Sequence, residues 1–358
     1  MHKRILITGG AGFVGSSLAI SFRQAYPDAQ ITAFHNLKRR GSELNLARLK
    51  EAGVTFVHGD VRVAEDLEGL PDRPDLILEC SAEPSVQAGY HGSPEYLVQT
   101  NLTGCFRCLE LARKTGADFI FLSTSRVYPI ATLNRLAFVE EATRFSLAEH
   151  QDVPGASSLG IGEALPLDGA RSLYGMTKLA AELMVAEYGD AYGLRTVVDR
   201  CGLLAGPWQM AKSDQGVVTL WVAAHVFGTP LRYIGFGGTG KQVRDVLHVD
   251  DLATLLIEQA AHLDRYNGQT FNVGGGLAGS VSLSELTAIC EEVTGRRLGI
   301  TGASEDRRAD IKSYVTDHRK VTALGSWVPR HAPASVVRDI ARWLEQSGQD
   351  VRRVLQLG

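Results

Sequence analysis

Along the first third of the chain, apolar residues gather in short unbroken runs. Longer stretches separate them, in which apolar residues recur every three or four positions. The short runs are "RILIT", "QITAF", "VTFVHGD", "PDLILECSA" and "DFIFLSTS". Between them, "VGSSLAISFRQAY", "LNLARLKEAG" and "YLVQTNLTGCFRCLELARKTG" carry the helical spacing. Strands that are apolar throughout are buried on both faces, and strands alternating with helices build a parallel sheet covered on each side. The pattern predicts an α/β fold around a Rossmann-like, doubly wound parallel sheet.

From Tyr128 to Ser172 the periodicity fades, and "EHQDVPGASSLGIGEALPLDGA" is dense in turn residues. A loop of that length inside a compact domain is functional or mobile. The helix "SLYGMTKLAAELMVAEYG" follows, with Leu179, Leu183 and Ala186 at helical spacing, and then the strand "LRTVVDR". Further on, "GVVTLWVAAHVFG" reads as helix, "PLRYIGFG" as strand, and "SLSELTAICEEVTG" as a helix with a serine start and a glycine stop. Two parts are expected: residues 1–195, completed by a strand returning from about 240–270, and a smaller α/β part, 196–358.

Composition narrows the function. The 358 residues are 44% apolar and 22% charged, as in an ordinary globular chain. A net charge of −3 supplies no basic field for nucleic acid. Five cysteines do not read as a disulfide framework. Cys105 and Cys108 fall on a helix with no second pair to complete a zinc site, so no metal is expected. The N-terminus lacks the pattern of a signal peptide, and no run of about 18 apolar residues points to a membrane span. A cytoplasmic protein is expected.

Gly9, Gly12 and Gly15 stand in "ITGGAGFVGSS", directly after a strand and opening a helix. Glycines there permit a tight turn and let backbone amides approach a pyrophosphate at the helix N-terminus. The second strand of such a fold normally ends in an acid that holds the adenosine ribose. Here His35 takes that place, followed by Lys38, Arg39 and Arg40. Histidine can hydrogen-bond a hydroxyl but does not repel a 2′-phosphate, so NAD is expected with NADP left open. Asp60, after the third strand, is placed to meet the adenine amino group or to cap the next turn. Tyr174 and Lys178 are four apart, on one face of a helix. A nearby cation favours phenolate and moves the phenol towards working pH.

In order, "TGGAGFVG", "HGDVR", "STSRVY", "YGMTK" and "VRDVLHVDDL" resemble an extended short-chain dehydrogenase/reductase of the nucleotide-sugar epimerase type, over nearly the whole chain. The resemblance implies that Thr124, Tyr174 and Lys178 are catalytic. It places the cofactor against Gly9, Gly12, Phe13, Val14, Gly15, His35, Asn36, Arg40, Asp60, Val61, Ser81, Ala82, Glu83, Tyr174 and Lys178. Asn101 resembles an asparagine near the cofactor, with helix capping as its alternative role. Ser85, Val86, Ser125, Arg126, Asp214, Gln215, Gln242, Arg244 and Arg307 are implied to meet the nucleotide sugar. Arginine suits a diphosphate because its fork meets oxygens in pairs. A homodimer or higher homo-oligomer is implied as well.

Family dehydratases carry an Asp-Glu pair after the threonine, and decarboxylases a glutamate in the second place. Ser125 and Arg126 stand there instead. "NLKRRGSELNL", "EEATRF", "SDQGVV", "GKQVRDVLHVDD" and "FNVGGGLAGSVSL" resemble the branch of CDP-paratose 2-epimerases. C2 epimerisation of a CDP-deoxyhexose through a keto intermediate is the expectation this carries. The alternatives are a 4-epimerase, a reductase using NAD(P)H, and a non-catalytic NAD(P)-binding sensor. Glu79 departs from the family, standing where its "HxAA" pattern has histidine, and Pro129 replaces a glycine.

Overall fold

The computed structural model describes residues 2–212, 215–303, 305 and 308–355. The five apolar runs are strands: β1 Arg4–Thr8, β2 Gln30–His35, β3 Thr55–His58, β4 Leu76–Glu79 and β5 Asp118–Thr124. Two later strands, Thr196–Cys201 and Gln269–Val273, complete a seven-stranded parallel sheet. Its order is Gln269–Val273, Thr196–Cys201, β5, β4, β1, β2, β3. The order reverses between β4 and β1, and ligands of such sheets bind at the carboxyl ends beside that reversal.

β4 and β5 are buried along their whole length, which is why their sequences do not alternate. On one face the helix α1, Phe13–Ala25, packs beside Val249–Ala261 over Ile5, Ile7, Leu76 and Leu78. On the other, the helices Gly104–Thr115 and Leu173–Tyr192 cover Leu6, Ile77, Phe119 and Phe121. Cys105 and Cys108 belong to this second core.

Val243–His248, inside the span where a returning strand was expected, joins a second sheet with Leu203–Ala205, Ser280–Ser282 and Ser313–Tyr314. The strand that returns to the main sheet is Gln269–Val273. The segment from Tyr128 to Ser172 is also not bare loop. It holds a short helix, Ile130–Arg135, and two hairpins, Phe138–Glu140 with Phe145–Leu147 and Ala156–Ser157 with Gly160–Ile161. Strands of two or three residues are too short for alternation to register. Leu133, Ile161 and Leu165 nonetheless bury against Tyr128 and Tyr314.

Candidate active site

The carboxyl ends of the central strands open onto a cleft of ≈ 1430 Å³. Phe13, Val14, Arg40, Ala82 and Gln215 line one end, Thr124, Tyr174 and Lys178 the middle, and Gln242 and Arg244 the far side.

At the first end, β1 enters the glycine turn. Gly9 has φ +63°, and a Cβ on it would lie 2.8 Å from the Cys80 carbonyl oxygen. A Cβ on Gly15 would lie 2.3 Å from the Gly9 carbonyl oxygen. Gly12 is the residue before α1. Gly10, which the spacing did not single out, is equally confined: its Cβ would come within 2.6 Å of Ala33 Cα. Only bare backbone closes β1, β2 and α1 this tightly, and it leaves a helix N-terminus fit for a dinucleotide pyrophosphate. Asn45 was also missed. It is buried and donates to the Ala11 carbonyl at 2.9 Å, holding the turn from below.

β2 ends at His35, whose Nδ1 accepts the Leu37 N–H at 2.8 Å. Asn36 donates to Asp60 at 2.9 Å, and Arg62 grips the same carboxylate at 2.7 Å. Asp60 Oδ1 also accepts the Arg62 N–H at 3.0 Å, so it caps its own turn. Val61 is buried beneath it, against Gly104.

Beyond β4, Glu79 is buried and accepts from the hydroxyls of Thr8 and Ser81. Asn101 is not a helix cap. It sits in a wide π turn, Gln99–Thr103, inside one continuous helix. Its amide exchanges hydrogen bonds with the backbone of Glu83 at 2.7 and 3.1 Å and donates to the Thr177 hydroxyl at 3.2 Å. It therefore clamps the loop after β4 to the helix of Tyr174. Ser85 lies in that loop, its hydroxyl accepting the Gln87 N–H at 3.1 Å, and Val86 faces the cleft.

The helix Leu173–Tyr192 starts at Ser172, whose hydroxyl accepts the Gly175 N–H at 3.1 Å, and ends at left-handed Gly193. Its apolar stripe misleads. Leu183 and Ala186 are exposed, whereas Tyr174, Lys178, Ala181, Glu182 and Val185 form the buried face. A Cβ on Gly175 would lie 2.1 Å from the Arg126 carbonyl oxygen, so the helix rests directly on the turn after β5. That contact sets Tyr174 beside Thr124 in the cleft, where the Thr124 hydroxyl accepts the Arg126 N–H at 3.2 Å. Lys178, 2% exposed, donates to the Leu122 carbonyl at 2.9 Å. The sequence led us to expect a phenol shifted down by lysine. Instead burial pushes Tyr174 up to about 12, against the opposing pull of Thr124.

Behind these groups, Arg200 forks onto Glu182 at 2.7 and 3.1 Å and donates to the Tyr128 hydroxyl at 3.2 Å. Tyr128 in turn donates to Asn272 at 2.8 Å. This buried network ties β5, the Tyr174 helix and the two later strands of the sheet together.

On the far side, Ser125 and Arg126 follow Thr124 into the cleft. Arg126 donates to the Ala309 carbonyl at 3.1 Å, and burial with Arg244 alongside pushes its pKa down to about 10. Arg244 is paired with Asp310 at 2.9 Å. Sequence reasoning passed over Asp310, three residues beyond Arg307. Gln242 is buried and donates to the Ile234 carbonyl at 2.9 Å, while Gln215, at the cofactor end, accepts from Arg39. Asp214 and Arg307 lie outside the described residues. Among the described residues, no group of three or more His, Cys, Asp or Glu is placed to hold a metal, and no helix is long and apolar enough to cross a membrane.

A glycine cradle at the first βα turn, opening onto a cleft at the carboxyl edge of a doubly wound sheet, is the arrangement of a dinucleotide-dependent enzyme. Residues 5–274 match the model of the NAD dependent epimerase/dehydratase family, and the chain belongs to that family. It is 31% identical over 347 residues to CDP-paratose 2-epimerase of Salmonella typhi, spanning 95% of this chain and 98% of the relative. It is 28% identical over 249 residues to a dTDP-glucose 4,6-dehydratase of Mycobacterium tuberculosis, spanning 69% and 66%. Among solved structures it is similar to UDP-glucose 4-epimerase of Thermus thermophilus in complex with NAD, at 26% identity and TM-score 0.76, covering 96% and 99% of the two chains. A dTDP-glucose 4,6-dehydratase double mutant from Streptomyces venezuelae with NAD bound gives 26% and 0.77, covering 96% and 97%. The enzyme's cofactor is NAD.

Proposed function

We propose that this chain is an epimerase of a nucleotide-linked hexose that inverts C2 of a CDP-deoxyhexose. One observation carries the reading. The turn after Thr124 presents Ser125 and Arg126 to the cleft, leaving the site without the two carboxylates there that the elimination of water requires. The oxidation-and-return set of Thr124, Tyr174 and Lys178 is meanwhile complete. The likeness to the Salmonella relative over almost the full length of both chains supports the choice of carbon and nucleotide.

Bound NAD supplies a reversible hydride acceptor. The protein supplies the rest. Tyr174 takes the proton of the C2 hydroxyl as that carbon is oxidised, and Thr124 holds the reacting oxygen. The 2-keto sugar turns its other face, and Tyr174 returns the proton when C2 is reduced again. Lys178 fixes the tyrosine edge of the cofactor pocket, and Arg244 faces the diphosphate. Exposed Met176, Leu183 and Tyr192 on the tyrosine helix, with Phe106 on its neighbour, support pairing with a second copy.

An alternative keeps the same residues but inverts C4, which the similarity to a 4-epimerase structure favours. A substrate carrying deuterium at C2 separates them. C2 inversion without added reductant retains the label in the product, with none lost to solvent. Inversion at C4 with an undisturbed C2 centre contradicts the reading.

A further inference from the structure

The adenosine end of the cofactor pocket departs from an NAD-selective site in a way that bears on which dinucleotides it accepts. Selectivity against a 2′-phosphate normally comes from an acidic residue at the end of the second strand. His35 holds that position here, and its protonation pattern is fixed by its neighbours. Leu37, in the left-handed region at φ +53°, turns its N–H onto His35 Nδ1 at 2.8 Å. The ring proton therefore resides on Nε2. That atom points towards the glycine turn, lying 3.9 Å from where a Cβ on Gly12 would be. A donor, not a carboxylate, would meet the adenosine ribose of a bound dinucleotide.

The surrounding charges agree. Asp60, the carboxylate on the neighbouring strand end, is already matched by the Arg62 fork and by Asn36. Lys38 is held over the Tyr96 ring at 3.7 Å, and Arg39 donates to the Met210 carbonyl at 2.8 Å. Arg40 differs. It is exposed, lines the cleft, and makes no hydrogen bond or ion pair among the described residues. A guanidinium near the ribose is what accommodates a 2′-phosphate, through paired N–H donors.

We infer that the pocket accepts 2′-phosphorylated nicotinamide dinucleotides, NADP(H), alongside NAD(H), with His35 Nε2 and Arg40 as the phosphate partners. This rests on the dinucleotide site, not on the choice of sugar.

The purified protein, equilibrated with equal concentrations of NAD and NADP and freed of excess by gel filtration, has its retained nucleotide released and quantified by mass spectrometry. NADP is expected to make up at least about a tenth of the retained nucleotide. His35→Asp is expected to cut that share at least about tenfold by placing a like charge against the phosphate. Arg40→Ala is expected to lower it severalfold with NAD still retained. A wild-type protein that retains NAD over NADP by more than about a hundredfold overturns the inference and leaves the epimerase reading standing. Retention of neither nucleotide overturns both. An unchanged NADP share in both variants overturns the assignment of the two residues.

Discussion

Lys178 and Tyr174 share one face of a helix, and the Lys178 ammonium donates to the Leu122 carbonyl, 2.9 Å away on β5. The neighbour that most opposes the effect of burial on the phenol is Thr124. Lysine thus anchors the helix to the sheet at the floor of the cleft, while threonine sets the phenol. Oxidised NAD, when bound, would add a positive charge that favours phenolate.

The pH dependence follows from that division of labour. Burial holds the phenol high, at about 12, so the phenolate fraction grows with pH through the neutral range. kcat/KM is expected to rise from pH 6 to pH 9. Thr124 lowers the phenol's pKa, so Thr124→Ala is expected to move the rising limb to higher pH as well as to lower the plateau. A pH–rate profile of the two proteins checks the direction. Tyr174→Phe is expected to cost about a hundredfold or more in kcat at every pH.

Gly175 makes a separate prediction. A methyl group there meets the Arg126 carbonyl at 2.1 Å and must lift the helix off the turn after β5. Gly175→Ala is expected to lower kcat roughly tenfold to a hundredfold, since small displacements of reacting groups are costly. Nucleotide retention and the circular dichroism spectrum are expected to stay near wild type.

The pair of Arg200 and Glu182 is 7% and 6% exposed at its side chains and closed by a two-point fork. Removing one partner strands the other charge. Arg200→Met is expected to destabilise the fold by about 3–5 kcal/mol in urea unfolding, and the double change with Glu182→Leu by less than the single one.

Asp199 makes stability depend on pH in the direction opposite to most carboxylates. It is fully buried, accepts a hydrogen bond from Gln259 at 2.9 Å, and burial raises its pKa to about 7 despite that bond. Between about pH 4 and pH 7 the folded chain holds a proton that the unfolded chain has released. Folding stability from this group is present in full below the unfolded pKa and falls as pH rises through the window, by at most about 1.4 kcal/mol per unit. Asp199→Asn is expected to flatten that slope and to raise the melting temperature at pH 8.

The strands were legible because they read as short apolar runs, β1, β2, β4 and β5 buried over most of their length and only the edge strand β3 half-exposed. The glycine turn was legible because its spacing follows a strand and opens a helix. The orientation of the Tyr174 helix was not. Leu183 is 63% exposed while Lys178 and Glu182 are buried, so hydrophobicity marks the wrong face of a helix whose inner side carries polar chemistry. The site's polar supports, Asn101 against Glu83 and Asp310 against Arg244, join residues 18 and 66 positions apart and leave no local pattern. Tyr174's raised pKa was invisible for the same reason: it depends on burial supplied by distant segments.

The most direct test of the account is proton NMR of the purified protein with CDP-paratose and CDP-tyvelose beside UDP-, GDP- and dTDP-hexoses, without added reductant. The account predicts inversion at C2 of the CDP sugars and no net consumption or production of NADH. Inversion confined to C4, or to a sugar on another nucleotide, contradicts it.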